Sequence, residues 1–265
     1  MDTSSIVNKY DAHELLYSDL KQAIDKAKTK VHFPISNEVL GDLVRNTTYI
    51  LLSIFDAAGK DNLYTAFILY RSLLEHFYKS MYIVDRMIAT GSDDTAEKYK
   101  IHYFVSELLA EQAGVLEMED LLNDSKVKTD FIQFLTTKIP GIEGFDKSNQ
   151  REISEAVKQF NLKEIIKQLH NNYKKEDSLA ATNYVVAQTI PEYSHVCTFT
   201  HGGPYASMLM DKIIGSNDVE NQLMKILQIG LTSTCVIKEN WFMTFEINAS
   251  FKKYVFELQS IRAFV

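Results

Sequence analysis

Residues 63–90 read LYTAFILYRSLLEHFYKSMYIVDRMIAT. Within them Leu63, Phe67, Tyr70, Leu74, Phe77, Met81, Val84 and Ile88 recur at alternating steps of four and three. That is the spacing of one face of an α-helix, and it predicts a long helix with a core-facing seam. Strict apolar-polar alternation, the mark of a half-buried strand, is missing here, and no convincing strand is read elsewhere.

Outward from this segment the same helical period continues in both directions. Helices are expected at about 11–30, 37–58, 62–89, 94–113, 116–138, 150–172, 177–201 with a break near Pro191, 204–214, 218–247 and 250–262. Gly59, Gly114 and Gly215 stand where C-terminal caps are needed, because glycine enters the left-handed region at little cost. Ser36, Asp61, Ser92 and Ser216 or Asn217 offer side-chain oxygens to the free amides of a first turn. The expected fold is therefore all-α, a bundle of about nine to ten helices, laid out as one domain over 1–265 with an internal boundary conceivable in the loop PGIEGF near 140–147.

Composition excludes several function classes. The chain is 46% hydrophobic and 24% charged, the balance of a packed globular protein. Cys197 and Cys235 are too few and too far apart for a disulfide framework or a four-cysteine zinc site. The polar N-terminus MDTSSIVNKYDAHELL has no apolar signal core and no segment reaches membrane-spanning length, so a cytoplasmic location without membrane insertion is expected. The net charge of −7 disfavours broad attraction to nucleic acid. A local patch of Lys158, Lys163, Lys167, Lys174 and Lys175 remains as a route to RNA, although Glu164 and Glu176 interrupt it and the plainer reading is a solvated helix face.

One step around the helix from the seam lies a second stripe, Tyr64, Ile68, Arg71, Glu75, Tyr78 and Tyr82. Arg71 and Glu75 are four apart, within reach of a charge-assisted contact, and a guanidinium beside a seam needs partners when desolvated. RSLLEH, Arg71 to His76, also has the arginine-to-histidine spacing of HEPN ribonucleases. Residues five apart on a helix diverge by about 140°, so Arg71 and His76 meet one substrate only inside a cleft, as where two subunits juxtapose their motifs.

The segment YSHVCTFTHGGPYA, Tyr193 to Ala206, concentrates two histidines, a cysteine, a glycine pair and a proline. Thr189 and Glu192 fit a capping box around Pro191, Gly202 fits a C-terminal cap, and Pro204 fits the first turn of the next helix, so a short helix is expected between them. On it Ser194, Thr198 and His201 share a polar face. His201 reads either as a capping imidazole answering the helix dipole or as an acid, base or phosphate donor. Glu192 and His195 form one ExxH without the second that a di-iron bundle needs, and His195, Cys197 and His201 point in different directions on a helix. No metal and no cofactor is expected.

RSLLEHFYKSMYI paired with YSHVCTFTHGG resembles an uncharacterised family of bacterial helical proteins, grouped with HEPN-like and abortive-infection proteins. In that family an Arg-x-x-x-Glu helix is followed some hundred residues later by a Ser-rich helix ending in histidine, and the resemblance spans residues 40–210. It implies an HEPN-like core with additional helices, and a site of Arg71, Glu75, Ser194 and His201, with His76 on the same motif and Tyr78 or Tyr193 nearby. Two functions stay open. One is a metal-independent ribonuclease effector of phage defence, in which Arg71 stabilises phosphate charge and His201 or His76 moves the proton. The other is a non-catalytic module that binds a protein partner, with Arg71, Glu75 and His201 as a buried structural network. A homodimer is the expected assembly.

Overall fold

The computed structural model describes residues 4–123, 149–173 and 180–246. The expected helix at 250–262, most of the one at 116–138 and the PGIEGF loop lie outside them. The described chain is an all-α bundle: α1 (Ser4–Ala27), α2 (Pro34–Gly59), α3 (Leu63–Thr90), α4 (Asp94–Lys98), a π-helical turn (Tyr99–Tyr103), α5 (Phe104–Asn123), α6 (Gln150–Gln159), α7 (Leu162–Tyr173), α8 (Ala180–His201), α9 (Pro204–Gly215) and α10 (Val219–Phe242). Extended pairing among the described residues is limited to one antiparallel bridge, Val31 with Phe245.

The stretch that announced a single seam is the central helix of the bundle. α3 packs along α2 and α10 and is flanked by α8 and α7. Leu63, Phe67, Tyr70, Leu74, Phe77 and Val84 are buried as the spacing predicts, and so are Leu73, Ser80, Ile83 and Met87 on the side that the spacing left free. Neighbours on all sides leave little of α3 to solvent. Ile88 is 60% exposed while Met87 beside it is 1% exposed, so that turn is covered on one side and open on the other.

Two apolar clusters divide along α3. Leu51, Ile54, Phe67, Tyr70, Phe199 and Leu227 build one around its first half. Leu40, Leu43, Ile83, Phe160, Leu169 and Ile237 build the other around its second half. Each fully buried Leu, Ile or Phe contributes roughly 2 kcal/mol relative to exposure, so these clusters dominate the stability. At Gly230 a β-carbon would stand 3.2 Å from Leu51 Cδ1, so glycine there lets α10 approach α2 closely.

Local chain chemistry differs from expectation at several helix ends. Ser36 lies inside α2, buried, and the amides of Ile35 and Ser36 donate instead to the carboxylate of Asp93 at 3.1 and 2.9 Å, with Ser36 Oγ at 2.5 Å. A loop 57 residues away thus caps α2. Asn62 rather than Asp61 caps α3, accepting from the Thr65 amide at 3.1 Å. α5 runs through Gly114 without a break, while Gly91, in the left-handed region with φ 64°, closes α3. The single helix expected at 150–172 is two, separated at Phe160 and Asn161. Met243 to Glu246 form a turn and bridge rather than helix, and Thr244 O accepts from the amides of His32 and Phe33.

α8 is the largest correction. It continues unbroken from Ala180 to His201 with Pro191 inside it, so Thr189 and Glu192 do not start a helix. Proline removes one backbone donor and crowds the preceding turn, which costs about 3 kcal/mol in an isolated helix. Burial of Val196 and Phe199, both within 1% of full burial, and an ion pair from Glu192 to Lys225 at 2.5 Å hold the helix through it.

Candidate interhelical site

α3 and α8 run antiparallel: Tyr64 meets Phe199, and seven residues further along α3 Arg71 meets Tyr193. The register is locked by aromatic contact. Phe67 stacks on Phe199 with centroids 4.2 Å apart and planes 13° from parallel, and His195 sets its edge against both rings.

Two turns along, the polar stripe of α3 meets α8. Arg71 Nη2 lies 2.6 Å from Glu75 Oε1, with the side chains 28% and 25% exposed. Tyr193 Oη donates to the same Glu75 oxygen at 2.8 Å and accepts from Arg71 Nη2 at 3.5 Å, and the guanidinium carbon lies 5.8 Å from the Tyr193 ring centre. Cys197, one turn beyond Tyr193, lies close enough to Arg71 and Tyr193 to bear on the charge of both. Burial opposes the arginine's charge, but Cys197, Glu75 and Tyr193 outweigh it and hold the guanidinium more firmly protonated than usual. Burial, with the Glu75 hydrogen bond behind it, pushes the Tyr193 hydroxyl well above the ordinary phenol range. Arg71 Nε is buried and has no partner among the described residues.

The other residues singled out by the sequence lie apart from this group. His76 turns around the helix, donates from Nδ1 to Ser72 O at 2.7 Å, and burial lowers its pKa. Ser194 is exposed. His201 is exposed at the end of α8, where Gly202, with φ 58°, and Tyr64 Oη, 2.8 Å away, take up the Phe199 carbonyl. Eight residues separate His201 from Tyr193, about 12 Å along the helix axis. Ser194, His76 and His201 make no hydrogen bond or ion pair with Arg71 or Glu75 among the described residues. Of the lysine patch, Lys158 and Lys163 are exposed, Lys167 is paired with Glu164 at 2.7 Å, and Lys174 and Lys175 lie outside the described residues.

Two further polar clusters fall outside the residues singled out by the sequence. Lys79 lies over the rings of Tyr103 and Tyr99, 4.5 and 5.7 Å from their centres, and donates to Tyr103 Oη at 3.2 Å. Burial would lower its pKa, but the two tyrosines and Glu75 raise it overall. Lys238 of α10, with a side chain only 1% exposed, is held by Glu14 of α1 and boxed by Tyr17 and Tyr10, whose ring centres are 4.7 and 5.8 Å away. Burial and the Glu14 carboxylate push both tyrosines up to about 12. The cue for this cluster is periodic, since Tyr10, Glu14 and Tyr17 recur on one face of α1.

Among the described residues no group of three or more His, Cys, Asp or Glu is placed to hold a metal ion, and no helix is long and apolar enough to cross a membrane. Comparison of the chain with protein-family models, with curated proteins and with solved structures finds no match.

Proposed function

We propose that the chain is a non-catalytic helical interaction module, in which Arg71, Glu75 and Tyr193 clasp α3 to α8. The observation that carries this reading is the double use of Glu75 Oε1, which accepts from Arg71 and from Tyr193 across the two helices. A phosphate-binding arginine has to present charge to its ligand, and here Glu75 already meets that charge. Proton transfer needs a titratable group within hydrogen-bond reach, whereas His76 is engaged with Ser72 O and His201 lies two turns away along α8.

The alternative, an HEPN-like metal-independent ribonuclease effector in phage defence, draws support from the exposed quarter of Arg71 and its unpartnered Nε. Cleavage of RNA by the wild-type chain, lost in Arg71→Ala and in His201→Ala at unchanged melting temperature, would establish that alternative and overturn the module. The module predicts no cleavage by any of the three. It also predicts that Arg71→Ala lowers stability by about 2 kcal/mol, because Glu75 and the Tyr193 hydroxyl lose a shared partner.

A further inference from the structure

α1 is held to the bundle differently from the helices beside it. Over 24 residues it buries four side chains, Ile6, His13, Leu20 and Ile24, whereas α3 buries thirteen over 28. Ile6 joins the first core cluster, and Leu20 and Ile24 pack on Phe242 of α10. Between Ile6 and Leu20 lie about 21 Å of helix on which no apolar side chain is fully buried. What α1 meets there is Lys238 of α10, held by Glu14 and by the part-buried rings of Tyr10 and Tyr17.

Such a middle is readily given back to water. A matched buried ion pair gains little over its hydrated charges, so parting Glu14 from Lys238 by opening costs far less than removing either one alone. The apolar hold on α1 is thus confined to its two ends.

The connection to α2 lets α1 move alone. α1 ends on Lys28, a residue with a β-carbon in the left-handed region at φ 49°, which such residues rarely adopt. Two bonds of 3.2 Å close that turn, Lys28 N to Asp25 O and Thr29 N to Ile24 O. Directly after it the chain is pinned to the turn that follows α10: Lys30 O accepts from the Glu246 amide at 3.0 Å, and the amides of His32 and Phe33 donate to Thr244 O. A change of backbone angles at Lys28 and Thr29 therefore swings α1 and leaves residues 30–33 in place. Beneath α1, Cys235, Lys238 and Phe242 share one face of α10 at steps of three and four, and are 2%, 1% and 1% exposed. Tyr10 lies close enough to Cys235 for the thiol's charge to bear on the phenol.

We propose that α1 is a releasable strap, which hinges at Lys28 and Thr29 and opens as one unit from a bundle that stays folded, uncovering the Cys235, Lys238 and Phe242 face of α10. The strap is independent of the Arg71 clasp and of the function read from it.

Hydrogen exchange of the full chain, resolved by peptide, tests it together with alkylation of Cys235 by iodoacetamide. The α1 amides should exchange as one set, about 100-fold or more faster than those at the middle of α3. Glu14→Ala leaves Lys238 uncompensated only while the strap is closed, and should speed α1 exchange and Cys235 alkylation about 100-fold each. Phe160→Ala removes a buried ring whose ring neighbours are Tyr82, Tyr99 and Tyr103, so it destabilises the open and closed forms equally. It should speed exchange at the middle of α3 about 100-fold while α1 exchange and Cys235 alkylation stay unchanged. Exchange in α1 no faster than in α3, a graded series from one end of α1, or equal acceleration of α1 and α3 in Phe160→Ala would each overturn the strap. So would Cys235 alkylation that Glu14→Ala leaves unchanged.

Discussion

Removing Glu14 strands a charge. Lys238 is 1% exposed and its ammonium has three neighbours on α1: the Glu14 carboxylate and the faces of Tyr17 and Tyr10. Cutting one member out of a buried ion pair costs about 3–5 kcal/mol, because the other member stays desolvated and uncompensated. Glu14 is 32% exposed, which admits some water, and each ring face returns roughly 1 kcal/mol. The expected cost of Glu14→Ala is therefore about 3 kcal/mol. In a chain of this size that lowers the melting temperature by roughly 6–12 °C. Lys238→Met keeps the length and removes the charge, leaving a part-exposed carboxylate that water can reach, at a cost of about 1 kcal/mol or less. The double variant Glu14→Leu with Lys238→Met should melt near wild type, since buried ion pairs exchange for apolar groups at little loss. Thermal and urea unfolding followed by circular dichroism measure all three. Equal costs for the two single variants, additive costs in the double, or a loss under about 1 kcal/mol for Glu14→Ala would refute the reasoning.

Three further outcomes are expected. Phe199→Ala removes the ring stacked on Phe67 and should cost about 3–5 kcal/mol in urea unfolding. Asp93→Ala frees the first amides of α2 and should cost about 1–2 kcal/mol, with amide exchange rising at Ile35 and Ser36. Burial lowers the pKa of both His76 and His195, so the unfolded chain binds their protons first as pH falls. Stability should hold above the unfolded value of about 6.5 and decline below it until each folded-state pKa is passed, and His76→Gln should flatten that decline in melting curves taken from pH 7.5 to 5.

What the sequence discloses is local, and the rest depends on which helices meet. The step pattern of α3 announces the helix and the contact between Arg71 and Glu75, because both are set within one element. It is silent on Tyr193 as the shared partner, since that requires the antiparallel register of α3 and α8 fixed by Phe67 on Phe199. Burial of Leu73, Ile83 and Met87 follows from neighbours on every side of α3, which no stripe on a helix reveals. Proline at 191 carries a strong local signal for a break, and tertiary contacts override it. Glu14 finds Lys238 across 224 residues, and Ser36 finds Asp93 across 57, so neither pairing has a readable spacing.

The run from Asp94 to Asn123 is helical throughout, with one residue too many for an unbroken α-helix in the turn at Tyr99–Tyr103. Deleting a single codon there would let the run wind evenly, turning everything after it by about 100° and drawing it in by about 1.5 Å. Val39 and Leu43 would keep their places on α2, but Phe104 and Glu107 would swing away from them. Val105, fully buried, and the rings of Tyr99 and Tyr103 on Phe160 would turn with them. Lineages that gain or shed that codon would therefore have to repack the second core cluster together with the surface beside α2.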